Sequence, residues 1–217
     1  MVEKYIPVTP EMKAWAEAYP KPRWLPEKLV PAFEFAREAH KNQFRKYTGE
    51  PYIIHPLDVV RRMIEGIYRV STSANSHLKL TAEMEHVLVA CLLHDVVEDC
   101  GVSLSTIEKE FGFEVAEAVY WVTDTLTSAQ GNRGTRKRLE AARIAAAPLK
   151  YRCLKLCDMA SNTQSIVACD PDFAVVYIKE KAFLLSIITK FNEEQEGYAL
   201  AALFYALMGQ AVANTTM

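Results

Sequence analysis

His94, Asp95, Glu98 and Asp99 fall within six residues of a segment, AEMEHVLVACLLHDVVEDC, that is otherwise apolar nearly all round its middle. Read as a single helix turning about 100° per residue, it sets His94 one turn from Glu98 and Asp95 one turn from Asp99. Three carboxylates buried near the end of such a helix are costly without a partner. A divalent cation is the economical partner, because it offsets the charge and accepts oxygen and imidazole ligands. The competing reading is a solvated acidic helix end. That reading has its own cost, since acids near a helix C-terminus oppose the dipole.

Further ligands would have to come from elsewhere in the chain. His55 stands between Ile54 and Pro56, where the backbone is restricted. A lone histidine among apolar neighbours is more often a satisfied core residue than a ligand. Asp158 interrupts an apolar helical stretch, LKLCDMAS, with Asn162 one turn later on the same stripe. If buried, that acid demands a partner.

The elements that must position these residues are helical. PAFEFAREAHKNQF repeats Phe33, Ala36, His40 and Phe44 at three- and four-residue steps, with Pro31 suited to a first turn. YTGEPYIIHP cannot be helical throughout, and Pro56 then opens a helix with Leu57, Val60, Ile64 and Ile67 as its buried stripe. A polar loop, STSANSH, precedes the central helix, for which Thr81 is the expected N-cap. Ser105 and Glu108 read as a capping box for a short helix that stops at Gly112, and another runs from about Glu114 to Thr125. SAQGNRGTRKR reads as a basic loop carrying Arg133, Arg136, Lys137 and Arg138. Helices resume through LEAARIAAA and YRCLKLCDMASNTQSIVA, and two more, at about 173–191 and 196–209, close the chain. The only strand-like alternation, 77–81, is too short to matter. The expectation is a single all-α domain: residues 1–29 an N-terminal extension, 30–195 the body, and 196–217 a C-terminal helix and tail packed on it.

Composition narrows the function classes. The chain has 217 residues, 25 Lys and Arg against 27 Asp and Glu, and a net charge of −2. That balance argues against a general nucleic-acid binder, although not against a pocket for one small phosphorylated ligand. No apolar run approaches the roughly 18 residues that would span a bilayer. The N-terminus lacks the apolar core of a signal peptide, and five cysteines without paired spacing do not form a disulfide framework. A soluble, cytoplasmic protein with no membrane or nucleic-acid partner is expected; a homo-oligomer is left open.

Four blocks occur in order: RK-YTGEPYIIHP, LLHDVVED, FG-EVAEAVYWVTD and KLCDMASN. The arrangement resembles the HD-domain hydrolases of the RelA/SpoT family, in particular the small stand-alone alarmone hydrolases that lack a synthetase domain. The resemblance covers about residues 30–195 and implies an HD-domain helical bundle. It implies that His55, His94, Asp95 and Asp158 bind one divalent ion, typically Mn2+, a mixed N/O set that also suits zinc or iron. Cys91, Cys153 and Cys157 are then core packing. The resemblance assigns Glu98 and Asp99 to positioning and activating the attacking water, with a helix-end role still open for Asp99. Arg45 and Lys46 match a pair placed beside the nucleotide, and Asn162 one that contacts substrate near the ribose. Lys155 orients the ligand Asp158, faces the phosphates, or is an ordinary surface lysine. Arg136 and its basic neighbours clamp a terminal pyrophosphate or are simply solvated. Met159, Ser161 and Gln164 depart from the family pattern where it shapes the nucleotide pocket. The implied reaction is hydrolysis of guanosine 3′,5′-bis(diphosphate), or the corresponding pentaphosphate, at the 3′-pyrophosphate, giving GDP or GTP respectively and pyrophosphate. The alternatives are another HD phosphohydrolase activity, such as removal of the 2′-phosphate of NADPH, and a non-catalytic nucleotide sensor. Intact Glu98 and Asp99 count against the sensor.

Overall fold

The computed structural model describes residues 8–73, 82–196 and 198–213. Its regular structure is helical, as the periodicity predicts, with one isolated antiparallel bridge, Phe44 to Pro51, among the described residues. The N-terminal segment contributes α1 (Pro10–Glu17), whose cap Thr9 accepts from the Met12 N–H at 3.2 Å. A 3-10 turn, Glu27–Leu29, leads into α2 (Val30–Ala39), with Pro31 in the first turn, where its missing N–H costs nothing. There follow α3 (Ile54–Ser73), α4 (Ala82–Leu93), α5 (Val96–Cys100), α6 (Leu104–Phe111) and α7 (Phe113–Val122). The chain closes with α8 (Arg133–Ala146), α9 (Leu149–Cys169), α10 (Pro171–Ile188), α11 (Glu193–Glu196) and α12 (Tyr198–Ala213).

The long helix α9 is the axis of the molecule, packed against α3, α4, α7, α10 and α12. Val87, Leu88 and Cys91 of α4 meet Val59 and Met63 of α3 and Leu154 and Cys157 of α9 in one core, which α12 joins through Leu203, Phe204 and Leu207. Gly66 permits the close approach of α12 to α3: a Cβ there would lie 2.7 Å from Leu207 Cδ2. Cys91, Cys153 and Cys157 are buried free thiols that fill this core. None of the described helices is long and apolar enough to cross a membrane.

Five local expectations are corrected. The helix expected to run unbroken to Cys100 stops at Leu93; His94 and Asp95 form a turn before α5 begins. In a continuous helix adjacent side chains diverge by about 100°, and the turn lets both residues face one centre. The helix expected to reach Phe44 ends at Ala39, and residues 40–53 fold back as a hairpin-like loop. That loop is tied by Arg45 N–H to Glu50 O (2.8 Å) and Tyr52 N–H to Gln43 O (3.0 Å), with Gly49 at φ 70°. Ser103, rather than Ser105, caps α6, accepting from the Thr106 N–H at 3.1 Å. The basic stretch is largely helix: Asn132 caps α8 by accepting from Thr135 N–H at 3.0 Å, so its Arg and Lys sit on the first turns of α8. Glycines 131 and 134 flank that start and give the stretch a loop-like composition. The polar loop ahead of α4 is shortened by α3, which continues to Ser73; Thr81 and the 77–81 alternation lie outside the described residues.

Candidate active site

Four residues from three separate places in the chain converge on one point. His55 sits in the first turn of α3, His94 and Asp95 in the turn between α4 and α5, and Asp158 midway along α9. The two imidazole Nε2 atoms are 3.2 Å apart. Asp95 Oδ2 lies 3.4 Å from His55 Nε2 and 3.1 Å from His94 Nε2. Asp158 Oδ1 lies 3.3 Å and 3.7 Å from the same two nitrogens. His55, His94 and Asp95 by themselves form a cluster with the spacing of a metal site.

The surroundings aim these groups. His94 Nδ1 donates to the Cys91 carbonyl at 2.9 Å, and His55 Nδ1 meets Ser161 Oγ at 3.0 Å, so both rings turn Nε2 toward the centre. Asn162 Nδ2 donates to Asp158 Oδ1 at 2.7 Å, and Lys155 Nζ pairs with Asp158 Oδ2 at 3.0 Å. Burial pushes the two aspartates up. His94 and His55 around Asp95, and Lys155 with both imidazoles around Asp158, more than offset this and hold both carboxyls well below the usual range. Burial would lower His94, yet Asp95 and Asp158 outweigh it and raise the ring to about 10. Two imidazoles aimed through Nε2 and two ionised carboxylates suit a first-row divalent ion, which would take the place of the His94 proton.

Beside the cluster, the Glu98 carboxylate accepts from the Asp124 N–H at 3.0 Å. Burial of that carboxyl and the nearby Asp124 charge push its pKa up to about 7. Asp99 is likewise raised, by burial and then by Asp95. Both carboxyls are thus poised differently from the two aspartates in the cluster, although all four acids share one small region.

Arg45 arrives on the hairpin-like loop. Its Nη2 donates to Asn162 Oδ1 and Ser165 Oγ, each at 3.1 Å, and its guanidinium lies 5.7 Å from the Tyr52 ring centre. Arg45, Lys46, Tyr52, Asn162 and Phe173 line a cavity of about 300 Å³. Lys155 is no ordinary surface lysine: its ammonium also donates to the Val122 carbonyl at 3.3 Å. Arg136 Nη1 donates to Gly131 O at 2.6 Å, and Arg133 forks onto Glu180 at 2.7 and 2.8 Å. It is Lys137 that turns inward, onto Asp124.

Sequence reasoning missed several neighbours. Lys181 of α10 shares a small cavity with Lys137, Lys155 and Asp124, and burial together with Lys155 lowers it to about 8. No local pattern marks it, because only the packing of α8 and α9 against α10 brings it there. Ser161, noted only as a departure, turns out to hold His55, and Gln164 accepts from Arg62 at 2.8 Å. Tyr52, within the YTGEPYIIHP block, donates to Asp95 Oδ2 at 2.7 Å, a contact that nothing in the local sequence marks.

A family model described as "HD domain" matches residues 32–179. The chain belongs to the HD-domain family. Among curated HD-domain relatives, the guanosine-3′,5′-bis(diphosphate) 3′-pyrophosphohydrolase MESH1 of Xenopus tropicalis is 35% identical over 145 residues, spanning 66% of this chain and 72% of that protein. Bacterial proteins named guanosine-3′,5′-bis(diphosphate) 3′-pyrophosphohydrolase match over a smaller part of their length. The one from Aquifex aeolicus is 40% identical over 98 residues, 45% of this chain and 12% of that protein. The one from Vibrio cholerae is 33% identical over 149 residues, 67% of this chain and 19% of that protein. The chain therefore spans less than a fifth of these long relatives. A solved structure of a metazoan SpoT orthologue that hydrolyses ppGpp shares the fold, with a TM-score of 0.62 at 24% identity, covering 89% of this chain and 96% of that one.

Proposed function

We propose that this HD-domain protein is a metal-dependent hydrolase of guanosine 3′,5′-bis(diphosphate), releasing pyrophosphate from the 3′ position and leaving GDP, or GTP from the pentaphosphate. The observation that carries the reading is the convergence of His55, His94, Asp95 and Asp158, with Glu98 and Asp99 beside them and basic side chains around. The relatives named for this activity support the choice of nucleotide.

His55, His94, Asp95 and Asp158 would hold one divalent ion, and Mn2+ is the ion we favour for this N/O set. Such an ion, when bound, polarises a phosphoryl oxygen and acidifies water. Glu98, with its carboxyl near neutrality, accepts the proton of the attacking water, and Asp99 orients that water. Attack falls on the phosphorus attached to the ribose 3′ oxygen; that P–O bond breaks, pyrophosphate departs, and the proton ends on the 3′ hydroxyl. Lys137, Lys155 and Lys181 offset the phosphate charge. Arg45 and Lys46 flank the nucleoside, with Asn162 near the ribose. The substrate is a small nucleotide, and the setting we propose is the cytoplasm.

A panel of guanosine tetraphosphate, NADPH and ordinary nucleoside triphosphates with Mn2+, reading phosphate and pyrophosphate separately, tests the proposal. Pyrophosphate from the tetraphosphate alone is expected. Phosphate from NADPH with no action on the tetraphosphate would replace this reading by the 2′-phosphatase alternative. Asp95→Ala should abolish both turnover and metal binding.

A further inference from the structure

Tyr52 occupies a distinctive place beside the cluster. Its hydroxyl donates at 2.7 Å to Asp95 Oδ2, the same oxygen that lies 3.1 Å from His94 Nε2 and 3.4 Å from His55 Nε2. Its ring stands edge-on to His55, 5.8 Å between centres at 74°. On its other side the ring stacks on His40, at 4.6 Å and 26°. His40 is buried and is held in turn: its Nδ1 donates to Gln43 Oε1 at 2.6 Å and lies 3.2 Å from Cys100 Sγ. Gln43 completes the circuit, because its Nε2 donates to the Asp99 carbonyl at 2.8 Å and its own carbonyl accepts from the Tyr52 N–H at 3.0 Å. Asp95 sits on a short turn between helices, and the Tyr52 hydroxyl is the partner that holds Oδ2 besides the two imidazoles.

We propose that Tyr52 is a positioning residue, locking the Asp95 carboxylate toward the two imidazoles, and that the His40 stack and the Gln43 bonds lock Tyr52. The role rests on the metal-site reading above and adds to it a residue that acts on the ion through Asp95. Supporting groups of this kind set ligand orientation, and their loss commonly weakens metal affinity about 10- to 100-fold.

The test is a competition titration of metal-free protein with Mn2+ against a chromophoric chelator, comparing wild type, Tyr52→Phe and His94→Ala. Tyr52→Phe keeps the ring, its stack and its edge contact, and removes only the hydroxyl. A loss of about tenfold or more in Mn2+ affinity, with the melting temperature of the metal-free protein unchanged, is expected. Affinity within twofold of wild type overturns the positioning role while leaving the site reading intact, provided His94→Ala has lost binding. Absence of Mn2+ binding by wild type overturns both. A second variant, His40→Ala, which leaves the hydroxyl but removes the stack, is expected to weaken Mn2+ binding in the same direction; unchanged affinity there removes His40 from the proposal.

Discussion

Metal binding to this site should appear as pH-dependent stability, because the ion must displace a proton. In the metal-free protein His94 is raised to about 10, since Asp95 and Asp158 outweigh the burial that would lower it. Its ordinary value is 6.5. The raised ring therefore stabilises the metal-free fold fully below pH 6.5, and this contribution is lost as pH rises through about 10. A metal ligand must be deprotonated, so over the same range each unit of rising pH strengthens binding about tenfold. A chain of 217 residues has an unfolding entropy of roughly 0.45 kcal/mol/K. An ion present at 100 times its Kd adds about 2.7 kcal/mol, which corresponds to a rise of about 6 °C in Tm. Going from pH 6.5 to 8.0 at fixed Mn2+ should strengthen binding about 30-fold, adding ~2 kcal/mol or ~4 °C to the increment. The assay is a thermal melt of chelator-stripped protein with and without Mn2+ at three pH values, for wild type and His94→Ala. Each protein serves as its own metal-free reference, so a general loss of stability in the variant does not matter. An Mn2+ increment that is independent of pH, or as large in His94→Ala as in wild type, would refute the reasoning.

Glu98→Gln should lower kcat at least about 100-fold while keeping the Mn2+ melting increment; retained turnover would remove Glu98 as the proton acceptor. In the wild type, kcat/KM should fall on the acid side of about pH 7, because Glu98 is raised by burial and Asp124 and must be ionised to act. A profile flat from pH 5.5 to 8 would contradict that role. Arg45→Lys loses the two bonds to Asn162 and Ser165, and KM for the nucleotide should rise about tenfold with kcat within threefold, as measured by steady-state kinetics. Gly66→Val drives new methyls into Leu207 and Leu203 at the α3–α12 contact, and should destabilise by about 1–3 kcal/mol in denaturant unfolding; a neutral result would mean that α12 yields readily.

The helical class and the order of the elements follow from periodicity where a helix buries one stripe, as α3 does with Val60 and Ile67. His94 with Asp95 and the isolated acid Asp158 were legible as anomalies: charge inside an apolar pattern needs a partner. Their meeting was not legible from spacing, since it depends on α3, α4 and α9 packing together. The break at His94–Asp95 was hidden for a different reason. Leu92, Leu93, Val96 and Val97 continue the apolar run across the break, while the turn residues pair with His55 and Asp158, which are distant in sequence. Gly131 and Gly134 disguised the start of α8, where the Asn132 cap outweighs them. Lys181 carries no local signal, and Tyr52 lies in the YTGEPYIIHP block without one that marks its role; both roles come from neighbours distant in sequence.

The most direct measurement is product stoichiometry. Chelator-treated protein, reloaded with Mn2+ and given guanosine 3′,5′-bis(diphosphate), should convert it to GDP and pyrophosphate in equal amounts by ion-exchange chromatography, and chelator should stop the conversion. Nucleotide left intact by protein that demonstrably binds Mn2+, or orthophosphate released in place of pyrophosphate, would contradict the account.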